Sequence, residues 1–372
     1  MRRVLQLSVV AALSVVVCSS AAAQSAVSTL PRSKVQRADA VIADYMTAHH
    51  VPGLSVAIGL DQQLVWSKAY GLADLEDSIP VTTRSMFRTA SIGKPMTATA
   101  VMQLWQEGKL DLDAPIQRYC HAFREKGWPV TARQLLAHRS GIRDKTKEEE
   151  SNYKHYDTIE ASVAIFGDDS LLFQPGSQFH YSSYNYDVLG CAIEGASGMS
   201  YMDYMNRRIF GPAGMSHTLL DDAREIIPHR VSGYVLDDRG KLKNSIHDDM
   251  SNRIPAGGFV STPTDLVHFG LAVLGGKLVA DSARRLMWEV QRAPTDSVTK
   301  EGYGLGWALG DWYGVQEVMH GGGTPQVCAF LYLLPAKRIV VAFMMNLEAV
   351  PDRGDLAGDL VKVVLGPNAP HK

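Results

Sequence analysis

Apolar residues in this chain gather in two pairs of short runs, one pair near each end, with helical spacing between them. Leu54 to Leu60 and Leu64 to Tyr70 partly alternate on either side of Asp61-Gln62-Gln63, the pattern of a hairpin. Val327 to Leu334 and Arg338 to Met345 repeat that pattern around Pro335-Ala336-Lys337. Residues 35–48 and 354–365 carry the period of helices, and Val51-Pro52-Gly53 breaks the first. Strands at both termini with helices between them predict a mixed α/β fold. Its antiparallel sheet is built from N- and C-terminal segments and flanked by helices.

The middle of the chain is helical. From Ser91 to Gln106 one face holds Ile92, Met96, Val101, Leu104 and Trp105. Pro95 fits only if Ser91 opens the helix, where the first N–H groups have no intrahelical partner. Thr131 and Gln134 form a capping box ahead of Leu135-Leu136, with Gly141 as a stop. Residues 158–166, 185–197 and 200–209 also predict helices. Thr262 caps a further one with Pro263 at its first position, and Gly275-Gly276 ends it. Lys145 to Lys154 is polar and holds three consecutive glutamates, which predicts a solvated, mobile loop.

Composition narrows the setting. Met1-Arg2-Arg3, the apolar stretch Val4 to Val17 and Ala21-Ala22-Ala23 predict a signal peptide over 1–23, hence a periplasmic or secreted protein with a mature domain over 24–372. Cys18 as a lipidation site is disfavoured because Val17 is a poor neighbour for it. Without Arg2 and Arg3 the 37 basic residues become 35 against 39 acidic, a net charge of −4. That mild acidity gives no footprint for nucleic acid, and no later apolar run predicts a membrane span. Cys120, Cys191 and Cys328 remain after processing. An exported chain can pair two of them, and the sequence does not say which. The favoured expectation is three buried thiols, since Cys191 and Cys328 lie in apolar runs. No histidine or cysteine spacing suggests a metal, and no cofactor is expected. Nothing in the sequence sets an oligomeric state.

Three segments carry candidate chemistry. Ser-x-x-Lys occurs three times, but Ser151 to Lys154 and Ser297 to Lys300 lie in polar stretches. Ser91 and Lys94 instead open an apolar helix, where positions i and i+3 share a face. A buried lysine has a lowered pKa and becomes a usable base for a serine nucleophile. The Ser91 N–H at a helix N-terminus favours a developing oxyanion. Tyr181 is a candidate proton carrier if Lys94 lowers its pKa. Two frames compete there, Tyr181-Ser182-Ser183 and Ser183-Tyr184-Asn185. His320-Gly321-Gly322-Gly323 precedes a strand, and glycines at such a place mark a close approach. Gly323 N–H is a candidate second oxyanion donor. His49, His50 and His138 are expected to be structural or surface residues.

These segments, in this order, resemble the β-lactamase-related serine hydrolase family, which includes class C β-lactamases, D-Ala-D-Ala peptidases and esterases. The landmarks are Val51-Pro52-Gly53, Thr89 to Lys94, Leu135 to Gly141, Tyr181-Ser182-Ser183 with Leu189-Gly190, Gly257 to Thr262, Tyr303 to Trp307 and His320-Gly321-Gly322. Tyr186 to Gly190 favours the Tyr181 frame. Phe166 to Asp169, Pro175-Gly176 and Tyr181 to Tyr184 are closer still to bacterial relatives of the mitochondrial β-lactamase-like serine peptidase.

The resemblance implies a β-lactamase/transpeptidase-like fold: an α/β lobe of about 30–108 and 255–366 and an inserted helical lobe of about 109–254, with a cleft between. It implies Ser91 as nucleophile, Lys94 as its base and Tyr181 as general acid/base. Ser183 and His320 would lie on the substrate side, and Gly322 and Gly323 would complete the oxyanion region. The substrate would be a small molecule or peptide, opened at an amide bond first and an ester second. The alternative outside enzymology is a catalytically silent cell-wall or assembly module.

Two departures weaken β-lactam recognition. Ser183 replaces the usual asparagine and lacks an amide's donors. His320 replaces the usual lysine and is mostly uncharged near neutral pH. Weak or no β-lactamase activity is therefore expected. Gln326 stands where relatives often have glycine before the strand, and one expectation is that it narrows the cleft.

Overall fold

The computed structural model describes residues 27–293, 296, 301–366 and 369. The leader over 1–23, Cys18 and the Ser297–Lys300 motif lie outside the described residues.

The two terminal hairpins join into one sheet. Its strands are β1 (Gly53–Leu60), β2 (Gln63–Asp74), β3 (Ile79–Pro80), β4 (Gly302–Tyr303), β5 (Ala308–Trp312), β6 (Val315–Thr324), β7 (Val327–Leu334) and β8 (Ile339–Met345). They are ordered β3-β2-β1-β8-β7-β6-β5-β4, and neighbouring strands are antiparallel. The chain ends meet at β1 and β8, in register from Leu54 opposite Met345 to Leu60 opposite Ile339. The β1–β2 turn is only Asp61-Gln62, both at positive φ (49° and 68°), the conformation whose twist matches a tight hairpin. Both central strands are apolar almost without interruption because both sheet faces are covered.

Helix α1 (Arg32–Ala48) and the C-terminal helix Arg353–Leu365 share the core on one face. The helix Pro263–Leu274 packs against the other so closely that a Cβ on Gly59 would lie 2.8 Å from Val267. Beyond it α2 (Gly93–Gln106) is buried along Gly93 to Leu104, on every side and not along one stripe. A helix so enclosed carries its chemistry into a dry interior.

The helical side contains α3 (Ala132–Leu136), α4 (Lys147–Glu150), α5 (Ile159–Val163) and α6 (Tyr184–Ser197). Thr131 and Gln134 form the expected capping box, and Thr262 caps its helix by accepting from Asp265 N. Among the described residues, no helix is long and apolar enough to cross a membrane.

Two expectations are corrected here. Cys120 and Cys191 form a disulfide, and among the described residues Cys328 is the one free thiol, and it is buried. Their positions are 71 residues apart, so their approach depends on how the turn after Ile116–Arg118 meets α6. The segment from Lys145 to Lys154 is no freely solvated loop. Thr146 and Glu149 form a capping box for α4, Arg143 pairs with Glu149 (2.7 Å), and Asn252 donates to Glu149 O (2.8 Å). Arg253 donates to Glu150 O (3.0 Å) and Asp249 N to Asn152 O (2.7 Å). The glutamates at 148 and 150 face solvent, while the backbone is strapped to the protein.

Candidate active site

Ser91 sits in a single 3-10 turn, Ala90–Ile92, that runs directly into α2. Ala90 holds φ at +45°, which costs a non-glycine residue roughly 1–2 kcal/mol. Neighbours hold this turn in place. Thr89 N donates to Phe259 O (2.8 Å) and Thr89 Oγ1 to Gly257 O (3.3 Å). A Cβ at Gly257 would fall 1.8 Å from Ala90 O, and one at Gly322 would fall 2.4 Å from Thr89 O. Both glycines are therefore required for the backbones to close around the serine turn. Gly322 acts as a spacer between β6 and Thr89. Arg353 fixes that strand end by donating to Gly322 O (2.7 Å).

Lys94 is fully buried, one helical turn beyond Ser91. Its Nζ donates to Ser91 Oγ (2.9 Å), Ala256 O (3.3 Å) and Ser183 Oγ (3.4 Å). It also lies 4.9 Å from the centre of the Tyr181 ring and 5.6 Å from that of Tyr186. Burial lowers its pKa to about 7, only partly opposed by Asp144 and Asp187. Desolvation is the main cause, with Arg253 a minor one.

Tyr181 is mostly buried beside Lys94 and Ser91. Burial raises its phenol pKa, against a hydrogen bond with Ser91 that lowers it. The condition that Lys94 lower this phenol's pKa is not met: burial sets the direction, and Asp144 adds to it. Tyr181 is a protonated phenol at neutral pH. Behind it, His138 packs against the ring, tilted by 31° at 4.1 Å between ring centres. The ring of His138 is fully buried, with Nδ1 accepting from Ser182 N (3.1 Å). Asn185 contacts the same nitrogen at 3.2 Å, so Asn185 supports the site from behind. Both Tyr181 and Ser183, the leading residues of the two frames, border Lys94. Ser183 is buried just before α6, and its N–H donates to Asp144 Oδ1 (2.8 Å).

His320 does not reach the cavity. Its Nδ1 donates to Gly321 O (2.7 Å), which leaves Nε2 to accept from the Tyr303 hydroxyl (2.8 Å). Burial, reinforced by Lys94, lowers its pKa to about 3, so it is neutral. Its substrate-side position is thus corrected: both ring nitrogens are occupied inside the wall. Gln326 likewise lies away from Ser91, at the β6–β7 turn with φ of +79°, where its Nε2 meets His247 (2.8 Å).

The cavity at Ser91 is narrow, about 20 Å³ for the centre of a water-sized sphere. Lys94, Ser183, Gly323 and Thr324 line it, joined by Lys145 and Arg253, neither of which the sequence singled out. A larger cavity of about 560 Å³ adjoins it at Gly323 and Thr324 and runs toward Arg353. Among the described residues, no cluster of His, Cys, Asp or Glu is arranged to hold a metal ion.

The beta-lactamase family pattern matches residues 38–365. The mitochondrial serine beta-lactamase-like protein LACTB of Homo sapiens is 32% identical over 294 residues, covering 60% of this chain and 54% of its own. The chain thus spans about half the length of that relative. The octameric penicillin-binding protein homologue of Pyrococcus abyssi superposes with a TM-score of 0.79 at 28% identity, over 89% of this chain and 77% of that one. The D-amino acid amidase of Ochrobactrum anthropi SV3 superposes with a TM-score of 0.76 at 25% identity, over 90% and 98%. The chain belongs to the beta-lactamase family of serine hydrolases.

Proposed function

We propose that this protein is an exported serine hydrolase that acts through an acyl-enzyme on Ser91. The reading rests on one observation: a fully buried Lys94, with its pKa lowered to about 7, lies 2.9 Å from Ser91 Oγ. In its neutral form Lys94 accepts the Ser91 proton as Oγ attacks a carbonyl carbon. The N–H groups of Ser91 and Gly323 hold the resulting oxyanion. Tyr181, protonated in the resting site, hands its proton to the leaving group and is reprotonated by way of Lys94, which carries the proton taken from Ser91. Water then releases the acyl group by the reverse route.

Amide or peptide bonds are the first substrate class and esters the second. The likeness to an amidase supports the first. β-Lactam turnover is weak or absent in this reading, because His320, at the position where relatives hold a lysine, is neutral and turned to Tyr303, and Ser183 lacks the amide donors of the usual asparagine. Export is supported by the leader pattern of Met1 to Ala23 and by the Cys120–Cys191 disulfide, since disulfides persist in oxidising compartments.

A fluorophosphonate probe is expected to label Ser91 in the intact protein and to leave Ser91→Ala unlabelled, as read by peptide mapping. Equal labelling of both proteins would remove Ser91 as nucleophile.

A further inference from the structure

Lys145 is the one lysine besides Lys94 on the wall of the Ser91 cavity. Its side chain is 12% exposed. Among the described residues it makes no hydrogen bond, and its nearest carboxylate is Glu150 at 3.8 Å, itself half exposed. The other groups nearby are already committed. Asp144 accepts from Ser183 N, and Arg253 is paired with Asp248 and bonded to the carbonyl of Glu150. An ammonium largely withdrawn from water, with a half-exposed carboxylate at 3.8 Å as its ion-pair partner and no hydrogen-bond acceptor in the wall, is weakly compensated, and an anion that enters beside it improves that balance.

The segment that carries Lys145 is built to hold it there. Arg143 on one side is locked to Glu149 and Asp169, and α4 on the other is tied through its carbonyls to Asn252 and Arg253. A lysine supplies a compact point charge, and the guanidinium of Arg253 is not free to form a two-pronged clamp. A single carboxylate carries one charge, which this one ammonium matches.

We propose that Lys145 forms an anion subsite beside Ser91, which selects substrates carrying a carboxylate within a few bonds of the carbonyl under attack. The proposal rests on the acyl-enzyme reading above. It assigns a substrate class, acidic amides and peptides, to that site. Glu150 is the resident partner that the substrate carboxylate displaces toward solvent.

The test uses two fluorophosphonate probes of equal length, one ending in a carboxylate and the other in the corresponding carboxamide. Rates of Ser91 labelling are compared as a ratio within each protein, so that general damage to a variant cancels. In the intact protein the anionic probe is expected to react about tenfold faster or more, an advantage that shrinks between about 50 mM and about 500 mM salt. Lys145→Gln should bring the ratio close to one, Lys145→Glu should invert it, and Lys145→Arg should retain it. A ratio near one in the intact protein, or an unchanged ratio in Lys145→Gln, would overturn the subsite. If the neutral probe labels Ser91 in those cases, the acyl-enzyme reading survives and only the subsite falls. If neither probe reaches Ser91, both fall together.

Discussion

Lys94 and Lys145 face the same small cavity, and they differ in almost every respect that matters. Lys94 comes from the first turn of a buried helix and has three oxygen acceptors within 3.4 Å. Lys145 comes from a strapped surface segment and has a lone carboxylate at 3.8 Å. Burial lowers both pKa values, to about 7 for Lys94 and about 8 for Lys145. The acceptors of Lys94 hold its nitrogen 2.9 Å from Ser91 Oγ, where its neutral form can take the serine proton. Lys145 has no such partner in the wall, so its charge is left for something that arrives from outside. A lysine's role in this site is decided by the acceptors around it more than by its depth.

The sharpest way to break this contrast is Lys94→Met, which keeps the length of the side chain and removes its base. Labelling of Ser91 is expected to fall by about 10³-fold or more. Stability should move the other way. The folded-state pKa of about 7 lies below the ordinary 10.5, so below pH 7 the ammonium is charged in both states and its burial penalty is complete. As pH rises from about 7 to about 10 the unfolded chain keeps its proton and the folded one does not, so the penalty fades and the intact protein gains stability. At about 1.36 kcal/mol per pKa unit, Lys94→Met should be more stable at pH 6 by roughly 2–4 kcal/mol after losing its hydrogen bonds. Denaturant titrations at pH 6 and pH 10 check this. A gain independent of pH would mean that the charge of Lys94 is not what strains the site.

Tyr181→Phe is a smaller change, at the ring packed beside Lys94. Amide turnover is expected to drop about 10²-fold, whereas a p-nitrophenyl ester, whose leaving group needs no proton, should lose much less. Equal losses for both substrates would take Tyr181 out of proton delivery and leave it as a packing ring against His138.

The two walls were also unequally legible in the sequence. Ser91 and Lys94 are three residues apart, and helix geometry alone brings them together. The sheet was equally local in its signals: two hairpins with period-two runs, whose open edges then pair at β1 and β8. Lys145 gave no such signal. It opens a run of charges that reads as solvated, and it is enclosed only because Asn252 and Arg253, more than 100 residues on, bond the carbonyls of Glu149 and Glu150. The Cys120–Cys191 bridge and the capture of His320 by Tyr303 are hidden for the same reason. Each depends on a pairing between distant segments, and no periodicity encodes it.

The mildest test uses pH alone and leaves both lysines in place. Labelling by the neutral probe needs neutral Lys94, so its rate should rise up to tenfold per unit below pH 7 and level off above. Tyr181 stays protonated throughout this range, and His320, with a pKa of about 3, has already lost its charge, so neither should bend the curve between pH 5 and 9. The advantage of the anionic probe has a different shape. It depends on protonated Lys145, whose charge is opposed by Arg253 and Lys94 and supported by Asp144 and Glu150. Loss of a proton from Lys94 removes a repelling neighbour near pH 7, which helps Lys145 hold its own. The ratio of anionic to neutral labelling should therefore persist through pH 7 and decline only above about 8. If the rate and the ratio instead change together through one midpoint, the two lysines titrate as a single unit, and the division of work between the walls is lost.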